Sequence, residues 1–137
     1  MAKVDSSLID SVNSSYGRVA VKSEFFDEFY DVFLNCDPRI KPMFANTDLE
    51  KQKKLLRQGI SYMIMYVKDS HAGESAIKRI AEIHDRNHHS TAPELYPLWI
   101  NSLLSTVKKF DPQYSDELEK SWRTVLEPGI SFFTSKY

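Results

Sequence analysis

A single cysteine, Cys36, stands in 137 residues. No disulfide can close within the chain, and a reducing compartment fits such a protein best. Charge of either sign is not in excess: 18 basic against 19 acidic residues leave a formal net charge of -1. That balance gives no electrostatic case for nucleic acid or for an anionic membrane. The sequence has no apolar run of signal-peptide or bilayer-spanning length, so a cytoplasmic protein without a membrane partner is expected. Period-two alternation and β-branched runs are missing too, which excludes a sheet protein. Nothing matches a phosphate loop, a dinucleotide fingerprint, a paired-cysteine zinc site or a HExxH helix, and no serine is marked as a nucleophile.

What is present is helical periodicity. The length suits one domain over residues 1–137, enough to bury about two thirds of the unfolded surface. Hydrophobic residues at 42% and charged residues at 27% describe an ordinary soluble globule. A first helix is expected over 6–16, capped by Asp5 or Ser6, with Leu8, Val12 and Tyr16 on one face and Gly17 as its stop. A second spans 23–36, with Ser23 in capping position. Its Phe25, Phe26, Phe29, Tyr30, Phe33 and Leu34 repeat in pairs every four residues, a stripe broad enough to pack on more than one neighbour. Asp37-Pro38 ends it, and Pro42 closes a short turn over 39–41. Met43 and Phe44 follow where the chain is turning.

The next helix starts at Asn46-Thr47-Asp48 and runs to about 68. Thr47 and Glu50 form its capping box, and Leu49, Leu56, Ile60, Met63 and Val67 line one side. Lys51, Lys53, Lys54 and Arg57 read as a solvated face, whereas Gln52 falls near the apolar side. After a loop over 69–73 a helix is expected from about 74 to 86, then a polar stretch over 87–91. Residues 93–110 form a long helix with Tyr96, Trp99, Ile100, Leu103, Leu104, Val107 and Phe110 apolar. Asp111-Pro112 breaks it. The last helix, about 115–135, carries Leu118, Trp122, Val125, Leu126, Ile130 and Phe133, with Pro128-Gly129 expected to kink it. The chain is thus all-α, of six to seven helices.

One histidine stands out. Ile77, Ile80 and Ala81 recur at three- and four-residue spacing, and one further step reaches His84, seven residues after Ile77. An imidazole on a buried face needs a partner. Spacing alone leaves two readings open, a bond to a backbone carbonyl and a bond to a metal or cofactor. His71, His88 and His89 read as loop residues.

The order of these features resembles a bacterial single-domain globin over nearly the whole chain. The resemblance is carried by Phe29-Tyr30, Asp37-Pro38, Pro42-Met43-Phe44, Gln52 with Leu56, Ile80-Ala81-Glu82-Ile83-His84, Pro93-Glu94-Leu95-Tyr96-Pro97 and Trp122. Fourteen residues separate Tyr30 from Phe44 and thirty-two separate Gln52 from His84, as in that family. A group of short bacterial globins also shares Asn46-Thr47-Asp48 and Trp99.

The resemblance implies a globin fold around a haem pocket, its helices crossing at roughly 50°. It makes His84 the proximal ligand of haem b, iron protoporphyrin IX. Phe44 would wedge against the porphyrin, with Tyr96 and Trp99 among the side chains of the pocket. Tyr30 and Gln52 would stand on the distal side as donors to a gas, with Leu56 closing over the iron. A one-residue shift would put Lys51 or Leu55 in the slot of Gln52. The implied function is reversible binding of dioxygen, nitric oxide or carbon monoxide, for storage, delivery or sensing, by a monomer or homodimer. The rival is a nitric oxide dioxygenase or peroxidase served by a separate reductase, and a third reading is a haem-free regulatory domain. Two departures from flavohaemoglobin-like relatives matter. Tyr137 matches their late glutamate, and the segment between His84 and Tyr96 is longer.

Overall fold

Helices form where an apolar stripe meets a side chain able to satisfy the first free backbone N–H groups. The structure, a computed structural model, describes residues 4–68, 74–75, 77–79 and 93–135. Five long helices are defined: α1 (Ser6–Ala20), α2 (Glu24–Asn35), α3 (Leu49–Tyr66), α4 (Tyr96–Phe110) and α5 (Asp116–Ser135). Short 3-10 helices occupy Lys41–Phe44 and Pro93–Leu95. Residues 74–75 and 77–79 are helical as well, and no strand occurs among the described residues. The all-α class expected from the sequence is observed among the described residues.

Several boundaries differ from expectation, each for a local reason. The carboxylate of Asp5 accepts the Ser7 N–H at 2.8 Å and opens α1. That helix does not stop at Gly17 but continues to Ala20, because Val19 and Ala20 extend its buried face. Ser23 precedes α2 without capping it through its side chain. Pro42 does not close a turn over 39–41. It lies in the first turn of the 3-10 helix Lys41–Phe44, where a missing N–H costs nothing. At α3 the cap is Asp48, which accepts from the Glu50 and Lys51 N–H groups at 3.1 and 3.3 Å. Thr47 is not the cap, and Glu50 pairs with Lys53 instead. Residues 93–95 form a 3-10 turn, and the α-helix begins at Tyr96. Helix α5 runs on past Pro128.

Packing places α2 mainly on α4, and α1 and α3 on α5. Phe25, Phe29, Ile60, Ile77, Leu103, Trp122 and Leu126 are fully buried at this junction, each contributing about 1.5–3 kcal/mol of burial. On the side of α1 the core holds a polar knot. Trp122 donates from Nε1 to Ser15 Oγ (3.0 Å), and Ser15 donates to Asp111 Oδ2 (2.6 Å). The guanidinium of Arg18 grips both carboxylate oxygens at 2.8 and 3.0 Å. Lys22 caps the end of α4 through the Phe110 carbonyl (2.7 Å). Asp111, read from the sequence as part of a helix break, therefore joins three helices.

Candidate functional site

On the far side of this core, α2, the first 3-10 helix, α3, the start of α4 and the end of α5 surround a cavity of about 380 Å³. Its walls are mostly apolar because each helix turns its stripe inward. Phe29, Tyr30 and Phe33 come from α2, Leu56, Ile60 and Met63 from α3, and Ile130 and Phe133 from α5. A pocket of this size with few polar groups is the common form of a small-molecule or cofactor site.

Six residues singled out in the sequence, Tyr30, Phe44, Gln52, Leu56, Tyr96 and Trp99, all line this one cavity. They come from four elements and up to 69 positions apart (99 − 30). His84 lies outside the described residues, as do His71, His88, His89 and Tyr137. Lys51 is exposed and does not line the cavity, while Leu55 sits on its rim at 51% exposure. Phe44 is part of an aromatic wall, edge-on to Tyr30 and to Phe33 with ring centroids 6.2 Å away in each case. Phe29 continues that wall to Trp99 at 6.2 Å.

Tyr30, Tyr96, Thr47 and Gln52 bring polar groups to the otherwise apolar lining. Tyr30 is buried, and its hydroxyl makes a long 3.5 Å bond to the Gln52 main-chain carbonyl. Burial pushes its pKa up to about 12, with the Gln52 side chain pulling the other way, so it stays protonated at neutral pH. Tyr96 stacks on Phe133 (6.1 Å, 24°), and burial raises its hydroxyl to about 12 as well. That hydroxyl bonds to no other described residue. The mouth is marked by two exposed apolar side chains, Met43 at 43% and Leu55 at 51%. Exposed apolar lips beside an apolar cavity are a common mark of a ligand-binding opening.

Sequence reasoning missed Gly59, Ile130 and Phe133 in the lining. Ile130 and Phe133 look like any core-facing pair in a terminal helix, and Gly59 carries no side chain to follow.

Fold and cavity together define a helical bundle with an apolar cavity between its helices. No family model and no curated protein matches the chain. Among solved structures it is similar to a protein of Pseudomonas aeruginosa PAO1 described as structurally highly homologous to a human hemoglobin. The TM-score is 0.90 and the identity 38%, over 95% of this chain and 98% of that one. The chain belongs to the globin family, on the side of its bacterial members.

A globin fold implies a haem cofactor, and the residues present fit one. The walls offer aromatic faces of Phe29, Tyr30, Phe33, Phe44, Tyr96 and Trp99, and the lips Met43 and Leu55 stay apolar at the solvent edge. Among the described residues no cluster of His, Cys, Asp or Glu could hold a metal ion. No helix among them is long and apolar enough to cross a membrane.

Proposed function

We propose that this globin binds haem b and, through it, a diatomic gas such as dioxygen, reversibly. The observation that carries the reading is the apolar cavity in which Tyr30 and Gln52 stand together as hydrogen-bonding groups. His84 would supply the imidazole that holds the iron, and Phe44, Leu56, Tyr96 and Trp99 would pack on the macrocycle. When bound, ferrous haem supplies an open coordination position for the gas.

The chain's own residues do the rest. The Tyr30 hydroxyl, protonated at neutral pH, donates towards a ligand that has gained negative charge, and the Gln52 amide can do the same. Leu56 and Phe44 keep water from that space, which strengthens both bonds. A hydrogen bond to a charged acceptor is worth about 1.5–3 kcal/mol, or about 10- to 150-fold in ligand release. Tyr30→Phe keeps the ring contacts and removes the donor. It is expected to speed dioxygen release by that factor in stopped-flow measurements. An unchanged rate would mean that the hydroxyl serves the Gln52 carbonyl alone.

The deciding experiment is absorbance. Protein purified from haem-replete cells should show a Soret band that shifts when the ferrous form meets carbon monoxide. Protein that stays colourless, and takes up no added haemin, would end the reading.

A further inference from the structure

Two glycines stand in the helices that wall the cavity, and the fold accounts for one of them. A Cβ on Gly129 of α5 would lie 3.2 Å from Cγ and Cε of Met63 on α3, so a side chain there would make Met63 give by a few tenths of an ångström. Gly59, in the middle of α3, has no such reason. A Cβ built on it meets no heavy atom within 4 Å, and its backbone is not in the left-handed region. It lies in the cavity lining, while Gln52, Leu56, Ile60 and Met63 on the same wall all carry long side chains. Glycine in a helix interior costs about fivefold in the folding equilibrium relative to alanine. A residue that weakens its helix, packs nothing and turns nothing, yet borders a cavity, is explained by what fills the cavity.

We propose that the bare backbone at Gly59 is the seat for the rim of a flat, rigid tetrapyrrole, so that this glycine sets how deeply the macrocycle enters. The inference rests on the haem reading and adds to it the residue that makes room. A flexible ligand could bend around a side chain here, but a rigid plate cannot. Helix α3 has little freedom to withdraw. Tyr16 of α1 holds its Arg57 carbonyl at 2.7 Å, and Met63 is packed on Gly129. A side chain at position 59 therefore pushes the plate back towards Met43 and Leu55 at the mouth.

The test pairs haemin titration with thermal melting of the haem-free protein. Gly17→Ala is the control, because Gly17 also lies in a helix, is exposed, has open space around its Cβ direction and does not line the cavity. Both Gly17→Ala and Gly59→Ala are expected to raise the melting temperature of the haem-free protein. Gly59→Ala should weaken haemin binding severalfold and Gly59→Leu by about tenfold or more, the scale of an overpacking change, while Gly17→Ala leaves it unchanged. Wild-type affinity in Gly59→Leu would overturn the inference and leave the haem reading intact. A wild-type protein that takes up no haemin would overturn both.

Discussion

His84→Ala is expected to abolish the Soret spectrum of imidazole-ligated haem, and free imidazole in the medium should restore much of it. The case begins with Ile77, helical and fully buried. Seven residues separate it from position 84, and the apolar periodicity of the sequence makes the two members of one face in the expected helix. No His, Cys, Asp or Glu cluster among the described residues competes for a metal. Rescue by imidazole separates loss of a ligand from loss of fold, because a collapsed pocket would not respond to it. Haem held with an unaltered spectrum in His84→Ala would remove the histidine from its assigned role. It would leave the cavity and its two tyrosines to be explained by another ligand.

The largest effect on stability is expected at Asp111. Its side chain is inaccessible to solvent and answers Arg18, Ser15 and the Gln113 N–H together. Asp111→Ala leaves the guanidinium without its partner. Breaking a buried pair costs about 3–5 kcal/mol, and the 28% exposure of the Arg18 side chain puts this case near 3. That is a large share of the roughly 5–15 kcal/mol that holds a domain folded.

The acid limb of the stability curve tests the same group. Burial by itself would raise the Asp111 pKa, but the Arg18 and Ser15 hydrogen bonds, the Gln113 N–H and the guanidinium charge hold it at about 2. A carboxylate with a lowered folded-state pKa contributes stability that is complete above its ordinary value near 4. That stability drains away as the pH falls to about 2. The contribution is on the order of 2 kcal/mol. Asp111→Asn should therefore be less stable than wild type at pH 7 and show a flatter decline between pH 4 and 2. Equal slopes in chemical denaturation across that range would contradict the assignment.

How far each feature could be read in advance follows from its range along the chain. Apolar stripes repeat within a helix, and so Phe25, Phe29, Leu103, Trp122 and Leu126 are legible as core. Caps are less so: Thr47 and Asp48 are both good N-cap types, and adjacent positions differ only in the phase of the first turn. Gly17 stops a helix only where the backbone turns left-handed, which depends on whether Val19 and Ala20 have a core to enter. The six cavity residues were legible through the spacing of a familiar chain, not through periodicity, which cannot tell a cavity wall from a core. Asp111 was the least legible, because its partners Arg18 and Ser15 stand 93 and 96 positions away.

The two halves of the molecule are fastened differently. Around α1, charged and hydroxyl groups rivet α4 to α5. Across the cavity, the ties of α2 to its neighbours include the long 3.5 Å contact of Tyr30 and two solvent-reached pairs, Lys53 with Asp27 (2.7 Å) and Lys109 with Glu28 (3.1 Å). These hold weakly beside a buried ion pair. Greasy surfaces slide over one another more freely than a bidentate guanidinium lets go. Backbone amides of α2 on the cavity side should accordingly exchange with deuterated solvent sooner than those beside Ser15 and Trp122. Breathing confined to that half offers a route by which something as wide as a tetrapyrrole could enter without the molecule coming apart.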